Sequence, residues 1–393
     1  MTVYAEVSGF GRHELAVFRY LLHPYDIKLN TETDRPDLMI CRGPHLDWSG
    51  PIVSVPVDSH SGFSGSEVKF SDDHTVELPF DLVSRCVEKF EAAMNPKVAF
   101  TYRLATRLPF QYNIVPSSIR SWFLRTNDAD SDLSKHLAND AARKIVVKAF
   151  DLLGFHLKRK NPPSLLITHD IDSEKGLRRA FSFKAAEDEL NIKSTWFLPS
   201  DEFSIPRTLA KDLVDGSTIG SHDIKHDGRL VHIRRHDELV QRLSHSRSKL
   251  EDLFETEVTC FRAPLLQFSE RIMSALAEAG YSTDFSAPCW EPVHPSTMGG
   301  FGVETSQAFE TNGVLEVPST LFQDHQVLNV LCMDIDGAIK LWTEQARLIR
   351  SFEGDIVLVT HPHLAFSENL QKYRNLLTIL LHIDHEMPEG IEA

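Results

Sequence analysis

A small set of side chains in this 393-residue sequence has the types and spacing to do chemistry together. Asp170 and Asp172 stand two residues apart, where the apolar run Leu165-Leu166-Ile167 ends. His222 and His226 stand four apart, and Arg262, Asp284 and His361 each close or follow a short apolar stretch. If the extended conformation persists through Asp172, strand alternation puts both carboxylates on one side of the chain. Like charges that close resist joint ionisation unless a cation is present. Two imidazoles one helical turn apart can reach a single cation. A carboxylate and two imidazoles leave a coordination position open, which is the pattern of a catalytic rather than a structural zinc site. An ion held there would bring the pKa of bound water toward about 7 and polarise a carbonyl oxygen. Each motif alone is ambiguous. Asp170-x-Asp172 reads equally as a capping pair for the next helix, and a chain with 19 histidines produces surface pairs freely.

The elements that must position these residues come from the hydrophobic pattern. After Asn161-Pro162-Pro163 the chain alternates between short apolar runs and amphipathic stretches. Strands are predicted over 165–170, 193–198, 217–221, 258–261, 281–285, 314–317 and 355–360, each bounded by turn residues. Helices are predicted through Leu177, Phe181 and Leu190, over 206–214, over 237–254, over 269–279 with Ser269 as cap, and through Ile335 to Ile349. This alternation implies a largely parallel sheet, and its length favours closure into a barrel. The polar residues of interest all fall at or near strand ends, which converge on one face of such a sheet. That convergence is the main argument for a site.

Residues 1–160 read as a smaller α/β accessory domain with a linker, and 161–393 as the catalytic barrel. In the first part Leu15, Phe18, Leu21 and Leu22 mark a helix. Leu38–Cys41 and Ile52–Val55 mark strands, 81–94 and 140–152 mark further helices, and 113–139 is polar and irregular. Cys41 and His45 have a ligand-like spacing that reads as coincidence. Asp334-Ile335-Asp336-Gly337 resembles the start of a calcium loop but lacks the later ligands, so it reads as a helix cap.

The motifs Thr168-His169-Asp170-Ile171-Asp172, Ser221-His222 to His226, Arg262-Ala263-Pro264, Asp284 and Thr360-His361-Pro362 resemble, in order, those of the polysaccharide deacetylases. These are the NodB-homology enzymes of carbohydrate esterase family four, and the resemblance spans roughly residues 160–365. It implies a deformed (β/α)7-type barrel and metal-dependent removal of an acetyl group from an N-acetylated sugar or glycoconjugate. It makes Asp172, His222 and His226 the ligands of a divalent metal, zinc by preference. Asp170 becomes the general base, Arg262 the group that orients it, His361 the general acid, and Asp284 a candidate for tuning that network. The sequence departs from the pattern in places. Ile171 splits the aspartates and His169 replaces an aromatic. Asp223 and Asp227 follow the two histidines, as acceptors for imidazole N–H groups or as solvated residues. Leu265 stands where an aromatic is common, and Trp290 is only loosely spaced from Asp284. His363 could assist His361 or be solvated.

Composition bounds the alternatives. A net charge of −15 argues against nucleic acid or an anionic membrane surface as the main partner. No stretch is long and apolar enough to span a bilayer. Met1-Thr2-Val3-Tyr4-Ala5-Glu6 lacks the basic and apolar regions of a signal peptide, and the five scattered cysteines have no CxxC. A cytoplasmic enzyme acting on an acetylated sugar or glycoconjugate intermediate is therefore expected. The rival readings are a metal-independent cyclic-amide hydrolase on the same barrel, a glycosyltransferase using Asp-x-Asp, and a non-catalytic carbohydrate-binding protein.

Overall fold

The computed structural model describes residues 2–30, 36–42, 48–56, 68–79, 81–105, 132–294, 296–297, 299–366 and 369–385. The chain divides into two compact units. The first comprises Met1–Ala92, Leu137–Pro162 and Gln307–Glu310; the second comprises Ala93–His136, Pro163–Ser306 and Thr311–Ala393. Most of the irregular stretch expected over 113–139 lies outside the described residues, as does His45 of the Cys41/His45 pair. No helix among the described residues is long and apolar enough to cross a membrane.

The first unit is built on an open sheet ordered Ile27–Leu29, Val3–Ser8, Leu38–Arg42, Ile52–Val55, Thr75–Glu77, Lys69–Phe70. The first five strands run parallel and the last is antiparallel. Helices Arg12–Leu22, Leu82–Met94 and Ala138–Leu152 form where the apolar spacing predicts them. The strand Val3–Ser8 was not anticipated, although Val3, Ala5 and Val7 alternate and are buried.

The second unit carries seven parallel strands. Their order in the sheet is Val314–Glu316, Thr283–Asp284, Cys260–Phe261, Thr218–Ser221, Thr195–Leu198, Leu165–Asp170, Ile356–Thr360. All seven were predicted, but the ladder is short, with Cys260–Phe261 and Thr283–Asp284 keeping only two paired residues each. Helices Glu174–Asp188, Arg207–Val214, His236–Phe254, Glu270–Glu278 and Ile335–Ser351 alternate with the strands. Ser269 Oγ accepts from the Ile272 N–H, and Asp334 Oδ1 accepts from the Gly337 N–H, so both act as helix caps. A last helix, Leu370–His385, buries Tyr373, Leu376, Leu377, Leu380 and Ile383 along one face and packs on Glu174–Asp188 and Ile335–Ser351.

Barrel closure is where structure and expectation part. The sheet curls but its ladder is incomplete: among the described residues the sheet order does not pair Val314–Glu316 with Ile356–Thr360. Pro318, just past the first of these strands, has no N–H to give, yet the Ser319 N–H after it still reaches the Ala287 carbonyl at 2.8 Å. The edges are stitched together by a side chain instead. Thr320 Oγ1 donates to the Asp355 carbonyl at 2.8 Å and accepts from the Val357 N–H at 2.8 Å, while the Leu321 N–H reaches the Val357 carbonyl at 3.2 Å. Replacing Thr320 by Val would keep the shape and leave buried backbone groups unpaired. Urea unfolding of Thr320→Val should show a loss of about 1–3 kcal/mol with unchanged far-UV circular dichroism; wild-type stability would contradict the stitching role.

Candidate active site

The C-terminal strand ends of the second unit bring most of the predicted residues together. Strand Leu165–Asp170 ends in Asp170, Ile171 turns away into the core, and Asp172 comes back to the same side. Ser173 then caps helix Glu174–Asp188, accepting from the Gly176 N–H, so the turn that carries Asp172 is pinned on both sides. His222 follows strand Thr218–Ser221, its N–H bonded to the Leu198 carbonyl at 2.8 Å. Its Nδ1 meets the Arg262 carbonyl at 2.8 Å, which fixes that nitrogen as donor and leaves the Nε2 lone pair facing Asp172.

Asp172, His222 and His226 each offer one ligand atom, and these lie within 4.8 Å of one another. Asp172 Oδ1 is 3.5 Å from His222 Nε2 and 3.9 Å from His226 Nε2. These separations approach the edge of a tetrahedron built on zinc–ligand bonds of about 2.0–2.2 Å, an edge of roughly 3.4 Å. Asp172 Oδ1 is buried and receives no hydrogen bond among the described residues. A buried acceptor facing imidazole nitrogens asks for a positive charge. The donor set, one carboxylate and two imidazoles, therefore fits a divalent metal such as zinc.

Beside this triad, Arg262 is fully buried and donates in three directions. Nη1 reaches Asp170 Oδ1 at 2.8 Å, Nη2 reaches Thr168 Oγ1 at 2.9 Å, and Nε reaches the Phe285 carbonyl at 3.1 Å. Its guanidinium lies 4.4 Å from the Phe197 ring centroid and 5.7 Å from that of Phe285. Burial pushes the Asp170 carboxyl up, and Arg262, His222 and His361 more than offset it, holding Asp170 below the ordinary carboxylate range.

His361 follows strand Ile356–Thr360 and turns Nε2 toward both aspartates, 3.9 Å from Asp170 Oδ2 and 3.6 Å from Asp172 Oδ2. Its other face is held by Asp324, whose Oδ1 lies 2.6 Å from Nδ1 and whose Oδ2 accepts the His361 N–H at 2.8 Å. Burial disfavours the imidazolium, but Asp324 and Asp172 outweigh it and raise the His361 pKa to about 10. Asp324 was not singled out in the sequence. It opens the short helical stretch that runs on through Gln326–Val330, and only its position in space marks it.

Asp284 sits elsewhere in this arrangement. It is fully buried, accepts from Ser286 Oγ at 2.5 Å, and stands opposite Glu316 in the parallel ladder. Burial raises both carboxyls, Asp284 to about 6 and Glu316 well above its ordinary value, as expected of a pair that shares a proton. Asp223 and Asp227 accept from Arg242, not from the imidazoles. Leu265 adopts a left-handed conformation at φ 59°, uncommon for a non-glycine residue. Trp290 stacks on His136 with centroids 3.8 Å apart. The His363 ring stands 5.9 Å from that of His361, with its Nδ1 buried and unpaired among the described residues.

Behind the site, His169 is fully buried, stacked 4.0 Å from Trp196, and bonded to Thr360 Oγ1 at 2.8 Å and Glu187 Oε1 at 2.7 Å. Glu187 also accepts from Ser194 Oγ at 2.6 Å and Tyr373 O–H at 2.5 Å. This network joins the residue before Asp170 to the residue before His361 and ties both to the C-terminal helix.

A family model described as polysaccharide deacetylase matches residues 158–283. That range contains Asp170, Asp172, His222, His226 and Arg262 and stops short of His361. Similar solved structures include a Mycobacterium smegmatis protein assigned as a polysaccharide deacetylase, 17% identical, covering 58% of this chain and 87% of that one at a TM-score of 0.47. A family 4 carbohydrate esterase from Streptomyces lividans, solved with acetate, is 12% identical and covers 57% and 90% at 0.38. A carbohydrate esterase family 4 pseudoenzyme from Bacillus anthracis is 14% identical and covers 56% and 62% at 0.38. Among curated proteins there is no match.

The Glu187 network has a consequence for acid stability. Burial pushes the Glu187 carboxyl up, and His169, Ser194 and Tyr373 outweigh that, so its pKa ends below the ordinary 4.5. A carboxyl depressed by folding stabilises fully above its unfolded pKa, and the contribution is lost as pH falls through the folded value. Denaturant unfolding should therefore show wild type well above Glu187→Gln at neutral pH, with the gap closing below pH 4.5. A gap that does not change with pH would contradict it.

Proposed function

We propose that this chain is a metal-dependent hydrolase that removes an acetyl group from an N-acetylated sugar or glycoconjugate intermediate. The observation that carries the reading is the meeting of Asp172, His222 and His226 around the donorless Asp172 Oδ1. The match of residues 158–283 to the polysaccharide deacetylase family supports the acetylated-sugar substrate class. A cytoplasmic location belongs to the same reading.

Asp172, His222 and His226 would hold the ion. A bound zinc or similar cation supplies Lewis-acid activation of water and of the acyl oxygen. Asp170 keeps Oδ1 on Arg262 and has Oδ2 facing the site, where it takes the proton of the attacking water. Arg262 holds that carboxylate ionised and oriented. His361 approaches from the other side, with Nδ1 anchored on Asp324, and delivers a proton from Nε2 to the departing nitrogen or oxygen. Base and acid thus sit on adjacent parallel strands, paired from Ile356↔Leu165 to Thr360↔His169, which sets their spacing by backbone ladder rather than by loops. A metal-independent cyclic-amide hydrolase, or a binding protein, would leave the three facing ligand atoms without a purpose.

The test is acetate release by zinc-loaded protein from a panel of N-acetylated sugar oligomers and nucleotide-linked N-acetyl sugars. Asp170→Asn should lower turnover about 10²–10⁴-fold, the worth of a positioned base. Asp324→Asn should lower kcat with KM unchanged, because it disturbs a proton donor and no binding group. Wild-type turnover in Asp170→Asn would overturn the mechanism, and release from no substrate on the panel would overturn the substrate class.

A further inference from the structure

The residues that follow the two histidines form a second device around the site. Asp223, next to His222, is fully buried, and Asp227, next to His226, is partly exposed. One side chain joins them. Arg242 donates from Nε to Asp223 Oδ1 at 2.8 Å, from Nη2 to Asp223 Oδ2 at 2.8 Å, and from the same Nη2 to Asp227 Oδ1 at 2.8 Å. Arg242 lies on helix His236–Phe254, and one turn further along, Ser246 Oγ donates to the Asp223 carbonyl at 2.7 Å. Ser246 Oγ also meets Ser221 Oγ at 2.8 Å, so this helix face grips the segment from 221 to 227 at both ends.

The grip matters because the two imidazoles are not equally supported. His222 is buried and its ring is fixed by the Arg262 carbonyl. The His226 side chain is 28% exposed, and among the described residues its ring has no such partner, meeting only Asp172 and the His222 ring. Its backbone N–H bonds to Glu202 Oε2 at 3.2 Å. The position of His226 is therefore set by its backbone, and the backbone is set by its neighbours. Asp223 adopts a left-handed conformation at φ 65°, a reversal that needs outside contacts to persist in a non-glycine residue.

Resting on the metal site proposed above, we infer that Arg242 is a positioning residue for that site, clamping Asp223 and Asp227 so that His226 is held at its ligand position. A guanidinium fork can serve two carboxylates at once, and an ammonium presents one point charge and no fork. The relevant readout is metal affinity, measured together with the stability of the metal-free fold.

The experiment uses full-length protein stripped of metal and titrated with zinc against a chromogenic chelator, with thermal unfolding of each metal-free variant alongside. Asp227→Asn changes a partly exposed group and should leave metal-free unfolding unchanged while weakening zinc about 10–100-fold, the usual cost of losing an outer support of a ligand. Arg242→Lys should show a similar loss. The double variant should be no weaker than the weaker single one, because both remove the same contact. Wild-type affinity in Asp227→Asn, or losses that multiply in the double variant, would overturn the clamp and leave the metal site standing. Wild-type protein that takes up no zinc would overturn the metal site itself.

Discussion

Arg262 is the charge on which the site depends. Its guanidinium has no solvent contact, and a buried cation is costly unless its donors are met and an opposite charge is close. Asp170, Thr168 and the Phe285 carbonyl meet them, and Phe197 and Phe285 cover its faces. Its backbone is also occupied: the N–H bonds to the Ser221 carbonyl, and the carbonyl orients His222. One residue therefore positions Asp170, the proposed base, through its side chain and His222, a proposed metal ligand, through its main chain. Removing one partner of such a buried pair costs about 3–5 kcal/mol, because the other charge is stranded. Arg262 and Asp170 lie on strands separated by two others in the sheet, so their contact also requires the curl.

The curl explains why a broken ladder suffices. Strand ends converge when the sheet bends back on itself, whether or not its last pair of edges zips. Here the two edges do not pair regularly, and Thr320 supplies with one hydroxyl part of what a ladder would have supplied with backbone groups. The proposed acid, His361, hangs from this edge. His361 leaves the edge strand Ile356–Thr360, and Asp324, which holds it, lies four residues past Thr320. Behind both, the His169–Glu187–Tyr373 network locks the strand that bears Asp170 to the strand that leads to His361.

Much of this was legible in the sequence for a simple reason. Buried parallel strands are continuous apolar runs, and a polar residue that terminates such a run is conspicuous. Asp170, His222, Arg262 and His361 stand out that way, and the strands around them with them. Asp324, Glu187 and Arg242 do not, because each sits on a helical stretch whose pattern reports only which face is buried. Their significance lies in what they touch after folding, which no local spacing encodes. Asp284 illustrates the same limit from the other side. It ends a strand like the others, yet its partner is Glu316 on the next strand, and the carboxylate that meets His361 is Asp324. The helix Leu370–His385 is readable from the helical period of Tyr373, Leu376, Leu377, Leu380 and Ile383. Full closure of the barrel was not legible, because strand count speaks to the length of a sheet and not to whether its edges pair.

Three ligand atoms converge at Asp172, His222 and His226, and the proposed reason is an ion between them. The most direct measurement is the metal content of protein purified without chelator, wild type beside His222→Ala, by elemental analysis. About one zinc or similar divalent ion per chain in wild type, absent from the variant, is the predicted result. A wild-type protein that holds no ion even after reconstitution with zinc would contradict a metal site at Asp172, His222 and His226.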